Sequence, residues 1–119
     1  MSQGIELFVY PVKDIAQAKA LYRTLLGTDP YVDGAYYVGF RVGEQEIGLD
    51  PHGHAKGMTG PIGYRQVSDI EKSLQSLLDA GAQVQQAVKN VGGGRLTAWV
   101  KDADGNITGL MQDTSPREN

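Results

Sequence analysis

Two stretches of helical period, each preceded by a β-like run, set the pattern of the chain. The run IELFVY at residues 5–10 leads to Asp14, an N-cap residue with Gln17 three positions on, as in a capping box. Ile15, Ala18, Tyr22 and Leu25 then recur at helical spacing, Leu21 and Leu26 widen the apolar face, and Gly27 supplies the stop. The run PIGYRQV at residues 61–67 leads to Ser68 or Asp69 as cap, then to Ile70, Leu74, Leu77 and Leu78, and ends at Gly81. Each helix thus has one face to bury against a sheet.

After each helix the pattern predicts a short run and then two strands joined by a tight turn. In the first half these strands are YYVGFRV and EIGLD around Gly43 to Gln45; in the second they are RLTAWVK and NITGLMQ around Asp102 to Gly105. The halves echo each other: VKDI at 12–15 returns as VSDI at 67–70, so Val12 and Val67 stand 55 residues apart. Gly39-Phe40 pairs with Ala98-Trp99 in this alignment, and Gly48-Leu49 with Gly109-Leu110. The expected fold is α+β: one domain over residues 1–119, built of two βαβββ modules at about 4–51 and 60–113, with the Gly-, Pro- and His-rich segment DPHGHAKGMTGP as a linker at about 51–60. One helix covers only one sheet face, so the other face needs a second module or a ligand. That predicts a curved mixed sheet around a cleft, with the helices outside.

Composition narrows the function classes. Hydrophobic residues are 40% and charged residues 21% of the chain, ordinary globular usage. The formal net charge is −3, and Lys13, Lys19, Arg23, Arg41, Arg65 and Lys101 are scattered, so nucleic acid is not an expected partner. Cysteine is absent, which removes disulfides, thiol nucleophiles and Cys-ligated metals. The start, MSQGIELFVYPVKD, has neither a basic head nor an unbroken apolar core, and no run suits a bilayer span, so a soluble, cytoplasmic protein with no membrane partner is expected.

The two module starts, with helices ending LYRTLLG and LLDAGA, and above all the closing AWVKDADGNITGL, resemble the vicinal oxygen chelate superfamily, which includes glyoxalase I, the bleomycin resistance proteins and extradiol dioxygenases. The resemblance covers residues 4–113, and Ala103 takes the proline's place in a D-P-D-G-x-x-x-E-L ending. It implies metal ligands, usually His or Glu, from the first and last strand of each module. Those places fall at Leu7, Gly48, Ile62 and Gly109, none of which offers a donor side chain. No metal and no cofactor are therefore expected.

If these four positions face the cleft, strand alternation also turns Val9, Tyr64, Gln66, Ile107 and Met111 that way, with Tyr37 and Arg41 on the third strand and Glu46 and Asp50 beside Gly48. Gly48 and Gly109 then either leave space for a ligand or relieve crowding between packed strands. Trp99 has two readings as well, a stacking platform for a planar ligand or a core residue beneath a helix like Phe40, and Met111 could be a gap filler. His52 and His54 form an H-x-H pair beside Asp50, but a glycine-rich loop suits exposed histidines better than a zinc site. VGGGR at 91–95 lacks the Lys-Ser/Thr of a P-loop and fits a flexible turn or lid. No Ser-His-Asp set and no matched carboxylate pair emerges.

These readings converge on a homodimeric, glyoxalase-like protein that binds a small organic molecule in an apolar-aromatic cleft, as in sequestration or resistance. The ligand-binding set is Leu7, Tyr37, Gly48, Asp50, Ile62, Tyr64, Gln66, Trp99, Gly109 and Met111, with no catalytic residue assigned. The alternative is a lyase, isomerase or oxygenase of glyoxalase or dioxygenase type that uses non-standard ligands or no metal. A third possibility is an interaction module with a vestigial cleft.

Overall fold

The computed structural model describes residues 4–113; residues 1–3, part of the N-terminal stretch considered above, and 114–119 lie outside the described residues. Strand β1 (Ile5–Pro11) leads into helix α1 (Ile15–Leu26), followed by β2 (Val32–Asp33), β3 (Val38–Val42) and β4 (Gln45–Asp50). A 3-10 turn (His54–Lys56) precedes the second series: β5 (Ile62–Gln66), α2 (Ile70–Asp79), β6 (Gln83–Gly92), β7 (Arg95–Lys101) and β8 (Ile107–Asp113). The chain is α+β and contains two βαβββ modules. It divides into two compact units, one holding residues 6–63 and the other residues 64–113 with the first described residues.

The strand orders of the modules match. In the first it is β2-β3-β4-β1 and in the second β6-β7-β8-β5, so in each the first strand lies beside the last. That pair is parallel in both modules, β1 with β4 and β5 with β8, while the hairpin pairs β3-β4 and β7-β8 are antiparallel. A parallel neighbour requires a crossover, and the capped helices supply it. Asp14 has extended backbone and accepts the Gln17 N–H at 3.0 Å; Asp69, rather than Ser68, caps α2 by accepting the Lys72 N–H at 3.1 Å. Gly27, at φ +70°, closes α1 in the left-handed region that glycine tolerates.

Each helix covers one face of its own module. Ile15, Ala18, Tyr22 and Leu26 of α1 pack on Val38, Phe40 and Leu49. Ile70 and Leu74 of α2 pack with Val67, Ala98, Val100 and Leu110. Leu21 and Leu25, expected on the inward face, are instead 63% and 69% exposed. At about 100° per residue, Leu25 falls about 80° from Ile15 and Leu21 further still, whereas Leu26 returns to within about 20°.

Two other expectations change. The short run predicted after each helix is a two-residue strand in the first module but a ten-residue edge strand, β6, in the second, broken by register shifts between Val84 and Gln86, Gln86 and Lys89, and Asn90 and Gly92. VGGGR is the reversal between β6 and β7, with Gly92, Gly93 and Gly94 all at positive φ. The alignment of Phe40 with Trp99 also fails by one residue. Gly39 pairs with Gly48, and Trp99 pairs with Gly109, so the counterpart of Trp99 is Gly39 and that of Phe40 is Val100. A one-residue shift on a strand changes the face, and Trp99 therefore lies on the side away from α2.

Candidate functional site

In each module the side of the strands opposite the helix carries the candidate residues. In the first module it holds Leu7 and Val9 of β1, Glu46, Gly48 and Asp50 of β4, and Gly39 and Arg41 of β3, a set joined by the pairings Leu7 with Glu46, Val9 with Gly48, Gly39 with Gly48 and Arg41 with Glu46. The expected register of the third strand, with Tyr37 and Arg41 on this side, matches those pairings. Tyr37 lies across Gly48: a Cβ there would collide with the phenol oxygen and come within 2.6 Å of Cζ. The same ring and that of Tyr31 lie 3.3 Å from where a Cβ of Gly39 would stand. Two cross-strand glycines thus make a seat for two tyrosines.

Beside this seat is a carboxylate. Glu46 is 5% exposed; its Oε1 accepts the Tyr31 hydroxyl at 2.7 Å, and its Oε2 faces the Arg41 guanidinium at 3.5 Å. Arg41 also lies over the Tyr31 ring, 4.2 Å from its centroid, a cation–π arrangement with about half of the arginine side chain still in solvent. A buried carboxylate needs such partners, because desolvation disfavours its charge. Tyr31 and Glu46 are absent from the ligand-binding set drawn from the sequence. Tyr31 lies in the irregular stretch before β2, where no periodicity assigns a direction, and strand alternation puts Glu46 on this face but names no partner for it.

Asp50 has a different role. Its two oxygens accept the His52 N–H at 2.8 Å and the Lys56 ammonium at 2.8 Å, which fastens the loop after β4. His52 stacks on the 75%-exposed Tyr36 ring with centroids 5.6 Å apart. Ile62, at the start of β5, is 2% exposed.

In the second module Tyr64 and Gln66 of β5 share a face with their partners Gly109 and Met111 of β8, and Trp99 and Thr97 of β7 extend the row. Tyr64 fills the space over Gly109: a Cβ there would stand 2.5 to 2.8 Å from its Cδ2, Cε2 and Cγ. The Trp99 indole N–H donates to the Tyr64 phenol oxygen at 2.7 Å, and both side chains are buried. Met111 is fully buried, and Thr97, 7% exposed, donates its hydroxyl to Gln86 Oε1 at 3.2 Å. The expectation of empty space over Gly48 and Gly109 is therefore corrected: tyrosines of the same module occupy both places, and the glycines are packing residues.

The four positions where the resemblance implies metal ligands present two aliphatic side chains and two glycines, a donor set that does not fit a divalent cation. Among the described residues no group of three or more His, Cys, Asp or Glu is arranged to hold one.

The model of the Glyoxalase/Bleomycin resistance protein/Dioxygenase superfamily matches residues 4–109. The chain belongs to that superfamily. Solved structures agree on the fold. A hypothetical protein from Bacillus halodurans C-125 superposes with a TM-score of 0.79 at 16% identity, covering 100% of both chains. A superfamily member from Vibrio splendidus 12B01 gives 0.69 at 17% identity, covering 90% of this chain and 96% of that one. Methylmalonyl-CoA epimerase from Mycobacterium tuberculosis gives 0.72 at 17% identity, covering 95% and 89%. No curated protein matches the sequence. Identities this low establish architecture and not activity.

Proposed function

We propose that this superfamily member binds a small, planar, partly aromatic organic molecule and holds it unchanged, in a cytoplasmic sequestration or resistance role. The observation that carries the reading is the replacement of metal donors by aromatic platforms: Tyr37 lies over Gly48, and Tyr64, tied to Trp99, lies over Gly109. Aromatic faces with a few fixed polar groups are the usual lining of a small-molecule site, whereas Lewis-acid catalysis needs ligands that these positions lack. An enzymatic reading draws on a different feature, the buried Glu46 carboxylate 2.7 Å from the Tyr31 hydroxyl, a pair placed for proton transfer.

Equilibrium dialysis against a panel of planar aromatic compounds, with mass spectrometry of the recovered compound and elemental analysis of the protein, separates the two. Binding with the compound recovered intact, and no stoichiometric divalent metal, is the expected result. Chemical conversion of the bound compound favours the enzyme, and one equivalent of zinc, iron, nickel or manganese per chain overturns the metal-free reading.

A further inference from the structure

The side chain of Gln66 is out of balance with its surroundings. Its Oε1 is buried and accepts no hydrogen bond among the described residues. A buried acceptor without a donor is costly, because it has given up water and received nothing in return. Three donors that the register puts on the same face of β7 are engaged elsewhere: the Trp99 indole N–H on Tyr64, the Thr97 hydroxyl on Gln86, and the Arg95 Nε–H on Asp113 at 2.7 Å. The strand partner across from Gln66 is Met111, which is fully buried and has no proton to give. Gln66 as a whole remains part-exposed at the end of β5 although Oε1 itself is buried, so an incoming donor reaches that oxygen when the side chain turns outward.

From this imbalance we infer that Gln66 Oε1 is the polar anchor of the ligand, and that the ligand is a flat aromatic compound bearing an O–H or N–H donor on its ring. The inference rests on the binding function proposed above and adds the chemical class to it. The ring is placed beside Tyr64 and Trp99, both buried in the free protein, so binding requires this side of the face to open, and apolar surface and π density there reward planarity. The donor meets the amide oxygen, which fixes orientation. A site built around an acceptor rejects analogues that lack the donor, because the acceptor is then left unpaired in the complex as well.

The test uses 2-naphthol and its methyl ether as matched probes, with the full chain and a Gln66→Met variant, by titration calorimetry and thermal melting. Wild-type protein is expected to bind the naphthol about tenfold or more tighter than the ether. Gln66→Met should abolish that ratio, and should melt at a higher temperature than wild type because the unpaired acceptor is gone. Equal affinities in the wild type, a preference for the ether, or a ratio that survives the substitution overturns the inference and leaves the binding function standing. Binding of neither probe sinks the planar-aromatic binding reading and this inference with it. A lower melting temperature for Gln66→Met overturns the premise of an unpaired acceptor whatever the probes do.

Discussion

Gly48 and Gly109 have equivalent positions but are closed differently, and the difference predicts unequal costs of substitution. At Gly109 the atoms in the way include Tyr64 Cγ and Cδ2, near the root of a side chain held by its bond to Trp99, so the ring has little room to yield. At Gly48 the obstruction is the far end of Tyr37, which a small rotation can displace. Gly109→Ala should destabilise by roughly 1 to 3 kcal/mol, as overpacking does, and Gly48→Ala by less. In thermal melts that is a larger fall for Gly109→Ala, and an equal or smaller one would show that Tyr64 is free to move. The alternation of strand residues made Tyr64 and Gln66 legible as face-mates of the glycine positions. That a tyrosine would fill the missing side chain's space was not legible, since it depends on where a neighbouring strand directs its ring.

The β7–β8 hairpin shows how a short motif organises an element. Asp102 accepts the Asp104 N–H and the Asn106 N–H at 2.9 Å each, and the Asn106 side-chain amide at 3.0 Å, which closes the turn that Gly105 permits with φ +87°. Those bonds, the Asn106 side chain first, hold the Asp102 carboxyl below its ordinary pKa. A depressed folded-state pKa stabilises the fold above the unfolded value and loses that contribution as pH falls through the folded one. Asp102→Asn should therefore lower the melting temperature at neutral pH, with the gap to wild type narrowing as pH falls; melts across a pH series check this, and a gap that does not narrow in acid contradicts it. The turn was legible because Asp-Gly chemistry is local. The shift of Trp99 to the helix-free face was not, since aligning one aromatic with another ignored the ladder that fixes the side. Nor was the length of β6, whose polar, bulged run lacks a clean period of two.

For the molecule as a whole, the repeated order of elements was enough to expect two βαβββ modules, because each capped helix and each tight turn announces itself in the chain. How the exposed surface is used depends on contacts that no periodicity encodes. Leu21 and Leu25, one turn apart on α1 and largely exposed, form an apolar ridge. We expect the protein to be a homodimer that covers it, so light scattering at low micromolar concentration should give twice the chain mass, and Leu21→Glu with Leu25→Glu should halve it. A monomeric wild type would refute this. The distribution of chromophores has one more consequence. Tyr10, Tyr22, Tyr31, Tyr36 and Tyr37 all belong to the first module, while the single tryptophan is buried in the second. Indole emission during denaturation thus reports the second unit alone, and far-ultraviolet dichroism reports both. If the two transitions coincide, the halves of this repeat unfold as one cooperative body; if they separate, each half is a folding unit in its own right.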